Sequence, residues 1–82
     1  MLKPYFKSIV TDRILYPIRQ QIAEQVPQNS KVIDIECGTG ALLFDLSDKI
    51  NYGLGIDTDS SMIKLAQKKL KEREYRNLEF KI

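Results

Sequence analysis

The sequence predicts an α/β fold: a three-stranded parallel sheet in the order 3-2-1, flanking helices and an N-terminal helical segment. Three observations predict it. The apolar run Val32-Ile33-Asp34-Ile35 ends in Glu36-Cys37-Gly38-Thr39-Gly40 and passes at once into Ala41-Leu42-Leu43-Phe44. That is a buried strand feeding a helix through a tight, glycine-permitted turn. A second short apolar run closes at Gly55-Ile56-Asp57-Thr58-Asp59 and leads into a long helical pattern. Finally, Leu78 to Ile82 alternates apolar and charged residues, as a third strand does. Right-handed crossovers set consecutive parallel strands side by side, which leaves the first strand at an open edge.

The chain has 82 residues, enough for one small domain of marginal stability. We divide it into N-terminal helices over 1–30 and a β-α-β-α-β unit over 31–82. A net charge of +2 is close to neutral and argues for neither a nucleic-acid nor a membrane partner. The longest apolar runs are a few residues, far short of a membrane span. The N-terminus has Lys3 and Lys7 but not the apolar stretch of a signal peptide, and one cysteine makes no internal disulfide, so the cytoplasm is the expected compartment. Without histidine, and with Cys37 alone, a His/Cys metal site within one chain is excluded.

The elements follow in order. Leu2, Tyr5, Phe6, Ile9, Val10, Ile14 and Leu15 form one apolar stripe of a helix over 2–16, either covering the sheet or acting as a lid. Pro17 is best placed at the first position of a new helix, where its missing N–H costs nothing. Ile18, Ile22 and Val26 then recur every four residues until Pro27-Gln28-Asn29-Ser30 makes a turn. Lys31 to Glu36 is the first strand. Its Val32, Ile33 and Ile35 point to both faces, so both are expected to be covered. A helix over 41–49 should bury Leu42, Leu46 and Ile50, with Phe44 and Asp45 partly elsewhere. Tyr52 to Ile56 is the second strand, weakened by Gly53 and Gly55. Asp59 is placed to cap a helix running to about Glu74, with Met62, Ile63, Ala66 and Leu70 inward. Lys64, Lys68, Lys69, Lys71 and Arg73 lie mostly outward. Glu72 and Glu74 interrupt them and no aromatics interleave, so they read as a solvated face rather than a nucleic-acid patch.

The junction at 32–40 brings backbone N–H groups and a helix start toward a polar ligand, with glycine leaving no Cβ between. Its pattern resembles motif I of the class I, Rossmann-like S-adenosylmethionine-dependent methyltransferases. Asp34 fills the acidic position, Gly38 and Gly40 the second and third glycines, and Glu36 stands where the family has its first glycine. Gly55-Ile56-Asp57-Thr58-Asp59-Ser60-Ser61-Met62 resembles the end of the second strand in the same family. The resemblance covers roughly residues 18 to 82, the N-terminal half of such a domain.

It implies S-adenosyl-L-methionine as cofactor. Asp57 would accept hydrogen bonds from the ribose diol, or else serve the turn beside Asp59. Thr58 and Met62 would line an adenine slot, although Met62 fits ordinary helix core equally well. Asp34 would hold the loop or the cofactor's amino group. The loop Glu36 to Gly40 would pass beneath the methionine part. Cys37 reads as a small filler with backbone contact, since no histidine exists to activate it. Glu36 would either repel the cofactor carboxylate or pair with its amino group. At ~4 Å and an effective dielectric near 20, the repulsion costs about 4 kcal/mol, nearly three decades of affinity.

A nicotinamide site needs Gly-x-Gly-x-x-Gly/Ala, and Leu43 stands at its third position. Catalytic and acceptor residues follow later strands in the family, so none can be assigned. The expected function is the cofactor-binding half of a methyltransferase, truncated or split and inactive alone. The alternative is an interaction module or relic that pairs with a complementary chain or a second copy at its open sheet edge.

Overall fold

The computed structural model describes residues 16–82. The expected helix over 2–16, with its lid role, lies outside the described residues except for Tyr16. Residues 16–25 are helical (α1), so Tyr16 already belongs to the helix that was expected to start at Pro17. There follow β1 (Lys31–Ile35), α2 (Ala41–Leu46), β2 (Tyr52–Ile56), α3 (Ser60–Arg73) and β3 (Leu78–Lys81). The sheet is parallel throughout, in the order β1-β2-β3, with β1 at an open edge.

The strand register decides which residues share a face. Val32, Asp34, Gly53, Gly55, Leu78 and Phe80 lie on one side, and Ile33, Ile35, Leu54 and Ile56 on the other. The buried core is built on the first side from Leu43, Phe44, Leu46, Ile50, Ile63, Ala66, Leu78 and Phe80. Covering of both faces was expected; among the described residues it fails at β1, where Ile33 is 64% and Ile35 75% exposed, while Leu54 and Ile56 on the same face are half-buried. Topology is the cause. Two right-handed crossovers stepping the same way across a sheet lay both helices on the same side.

Packing also revises the helices. In α2 the buried residues are Leu43, Phe44 and Leu46, while Leu42 is half-buried. Phe44 turns inward because its ring meets Tyr75 at 5.1 Å and Phe80 at 5.3 Å between centroids. Ala23 of α1 and Val26 just after it pack on the core, whereas Ile18 and Ile22 of α1 stay exposed. In α3, Ile63 and Ala66 are buried, and Lys69 leans over the Phe44 ring at 5.9 Å instead of pointing away. Gly53 lets α2 approach the sheet, and Gly55 makes room for the Phe80 ring and Cys37. A Cβ at 53 would lie 2.9 Å from Leu43 and Leu78, and one at 55 would lie 2.5 Å from Phe80.

Candidate functional site

The C-terminal ends of β1 and β2 lie side by side, so the loops that leave them form one rim. The first loop folds back on itself: Cys37 N–H donates to the Ile56 carbonyl and Gly40 N–H to the Cys37 carbonyl, each at 3.0 Å. Three residues of this junction take left-handed backbone, with φ of 60° at Glu36, 58° at Gly38 and 85° at Gly40. Glycine suits that geometry and glutamate does not. The two glycines serve different ends. A Cβ at Gly40 would sit 2.6 Å from the Phe80 ring, so Gly40 is needed for packing underneath. A Cβ at Gly38 would meet nothing within 4 Å, so Gly38 opens onto free space above the rim.

Asp57 joins the two loops. Its Oδ2 accepts from Gly38 N–H and its Oδ1 from Asp59 N–H, both at 2.8 Å. Asp59 in turn accepts from Ser61 N–H at 2.9 Å and caps α3, as the sequence predicted. The turn role expected as an alternative for Asp57 is thus present. It leaves one lone-pair direction on each carboxylate oxygen for another donor.

Among the described residues no hydrogen bond reaches the Asp34 carboxylate, and the Gly38 amide is held by Asp57. Asp34 is half-buried on β1, and its carboxyl titrates above the usual range, first because burial disfavours the anion and then because Asp57 is nearby. The same surroundings push the Cys37 thiol up to about 11, through burial first and then the charges of Asp34 and Asp57. Cys37 is a neutral filler beneath the loop, as its lack of a base implied. Glu36 and Thr58 are exposed at the rim, and Met62 is half-buried on the first turn of α3.

One expectation changes in kind. The loop was read as a source of backbone N–H groups for a ligand, yet those of Cys37, Gly38 and Gly40 all have internal acceptors. The carboxylate of Asp57 stands at the rim beside them, and the first-turn amides of α2 at Ala41, Leu42 and Leu43 are the backbone donors left to the helix start. Two residues of this region were missed from sequence. Phe80 forms the floor below both Gly40 and Gly55, and its place in the alternation Leu78-Glu79-Phe80-Lys81 signals an inward ring. Thr39 is buried within the loop, which its position between two glycines does not reveal. Among the described residues no group of three or more His, Cys, Asp and Glu could hold a metal ion.

The profile of the methyltransferase domain family matches residues 27–82, taking in β1 through β3 and both loops of the rim. The chain belongs to that family. Demethylmenaquinone methyltransferase of Lactococcus lactis is 38% identical over 52 residues, which cover 60% of this chain and 21% of the relative. Putative methyltransferase 235L of Invertebrate iridescent virus 6 is 42% identical over 60 residues, covering 71% of this chain and 21% of the relative. The chain therefore spans about a fifth of the length of these curated relatives. Among solved structures, phosphoethanolamine N-methyltransferase 1 of Haemonchus contortus, in complex with phosphoethanolamine and S-adenosylhomocysteine, superposes with a TM-score of 0.67. It is 26% identical and the match covers 78% of this chain and 14% of that one. In the methyltransferase domain defined by the match, the Rossmann-like sheet order β1-β2-β3 is the one the sequence predicted.

Proposed function

We propose that this chain is the cofactor-binding N-terminal half of an S-adenosylmethionine-dependent methyltransferase, and that by itself it binds cofactor without turnover. The observation that carries this reading is the polarity of the rim. The N–H groups of Cys37, Gly38 and Gly40 are spent internally, while the carboxylates of Asp34 and Asp57 stand beside the open space at Gly38. An anionic pyrophosphate would meet the repelling charges of those carboxylates there, which counts against a nicotinamide dinucleotide. A ligand that brings hydroxyl donors and positive charge suits the rim, and S-adenosylmethionine brings a ribose diol, an ammonium and a sulfonium.

In this reading the unused lone pairs of Asp57 accept from the ribose diol. Asp34 faces the ammonium, a cation that would offset the cost of keeping that carboxylate charged. Gly38 admits the methionine portion, with Cys37 and Gly40 shaping the loop below and Glu36 at its margin. Thr58 and Met62 border the adenine. When bound, S-adenosylmethionine supplies an electrophilic methyl group on sulfonium, and its transfer depends on in-line placement of an acceptor. That acceptor side belongs to sequence corresponding to the rest of the longer relatives. The bound S-adenosylhomocysteine of the Haemonchus enzyme supports this cofactor class. The cytoplasm is the proposed compartment.

Isothermal titration of the chain with S-adenosylmethionine, and separately with NADH, tests the reading. We expect binding of the first only, weakened at least tenfold by Asp57→Ala because the diol loses its acceptor. Unchanged affinity in that variant would remove Asp57 from the site, and binding of NADH alone would overturn the cofactor class.

A second reading has one observation in its favour. Ile33 and Ile35 are exposed beside the open edge of β1, which suits a module that pairs with a complementary chain or a second copy. Size-exclusion chromatography with light scattering decides it: a strictly monomeric folded chain would count against self-pairing. Among the described residues no helix is long and apolar enough to cross a membrane.

A further inference from the structure

We infer that Asp57 is the positioning residue of the glycine loop, holding it in shape before any ligand arrives. The inference deepens the proposed cofactor site but rests on contacts within the chain. Gly38 has left-handed backbone and no neighbour above it, so packing alone does not fix its position. Its amide is fixed from the side by Asp57 Oδ2 at 2.8 Å. The other oxygen of the same carboxylate takes the N–H of Asp59, the N-cap residue of α3, at 2.8 Å. One side chain in the loop after β2 therefore clips two crossover loops into a single rim, across the nineteen residues that separate Gly38 from Asp57. A flexible glycine loop would have to be ordered at the moment of binding, and a clipped loop has lost that freedom already.

The same clip sets the direction of the ligand-facing lone pairs. With one position on each oxygen occupied by an amide, the carboxylate plane cannot rotate, and its two remaining lone pairs stay aimed past Gly38. Asp57 thus acts through Gly38 as well as by its own proposed contact.

The test is made on the full chain without ligand, by amide hydrogen exchange and NMR. In the wild type a through-hydrogen-bond coupling links Gly38 N to Asp57 Cγ. We expect Asp57→Ala to abolish it and to speed exchange at Gly38 and Asp59 at least tenfold, with Gly53, whose N–H is paired to Asn77 in the sheet, unchanged. Unchanged exchange at Gly38 would overturn the inference. Should Asp57→Ala unfold, Asp57→Asn keeps the shape and one acceptor oxygen. It is then expected to free one of the two amides, and protection of both would refute the clip. Titration of the wild type with S-adenosylhomocysteine separates the two ideas: a loosened loop in the variants with no wild-type binding would sink the cofactor reading and leave the clip standing.

Discussion

Glu36 offers the sharpest quantitative test, because strain and charge can be separated at one position. Its φ of 60° places an L-residue in left-handed backbone, at a cost of roughly 1–2 kcal/mol. Glycine removes that strain but gains freedom in the unfolded chain, which returns about 0.4–1 kcal/mol. Glu36→Gly should therefore gain about 0.5–1 kcal/mol, a rise in Tm of roughly 2–8 °C for a chain of this size. The charge is a separate matter. Glu36 is exposed, so water screens it, and the effective dielectric near 20 assumed from sequence overstates the repulsion. At ~4 Å in water the cost to the cofactor carboxylate is about 1 kcal/mol, a factor of roughly five in affinity rather than three decades. Glu36→Gln removes the charge and keeps the Cβ. It should tighten S-adenosylmethionine binding about fivefold with Tm unchanged, whereas Glu36→Gly should change both. Thermal melts and titration calorimetry on the three proteins read the two effects apart. A glycine variant no more stable than wild type would refute the strain argument. Weaker binding in the glutamine variant would mean that Glu36 pairs with the cofactor's amino group.

Other consequences are equally direct. With its thiol pushed up from 9.0 to about 11, Cys37 should react with iodoacetamide at pH 8 roughly a hundredfold more slowly than a free cysteine, and a rate near the free value would remove it from the loop interior. Because the folded Asp34 carboxyl titrates above its ordinary 3.8, the folded state binds the proton more tightly. Its contribution is fully present below 3.8 and is lost as pH rises through the raised value. Asp34→Asn should flatten that decline in urea midpoints between pH 3.5 and 7 while weakening cofactor binding; an unchanged pH slope would contradict it. Glu74 ends α3 with a left-handed φ of 55°, so Glu74→Gly should stabilise by about 0.5–1 kcal/mol in chemical denaturation.

Much of the fold was legible because its signals are local. The apolar run at 32–35, the glycine turn behind it and the cap at Asp59 each depend on neighbours a few residues away. What failed was set by distant partners. Val32, Ile33 and Ile35 alternate whether or not both faces of a strand are covered, and only the handedness of two crossovers shows that Ile33 and Ile35 are left bare. Phe44 looked peripheral because its partners, Tyr75 and Phe80, come from the far end of the chain. The site was legible by residue type more than by function. Gly38 and Asp57 were both singled out, but their hydrogen bond was not, and that bond takes the Gly38 amide out of the set of free loop donors. Asp34 was expected to hold either the loop or the cofactor's amino group, and the Gly38 amide is held by Asp57 instead, which sequence pattern does not foretell for two acidic residues near the ends of neighbouring strands.

The single aromatic floor also constrains how this chain can vary over generations. Phe80 lies 2.6 Å from where a Cβ at Gly40 would stand and 2.5 Å from one at Gly55. Enlarging residue 55 therefore needs room from both Phe80 and Cys37, whose Sγ would stand 2.8 Å from the new Cβ, and a smaller residue 80 leaves a gap under the glycine loop. Positions 37, 55 and 80 should drift together among descendants or not at all, while the left-handed backbone at Gly40 holds that position to glycine whatever stands at 80.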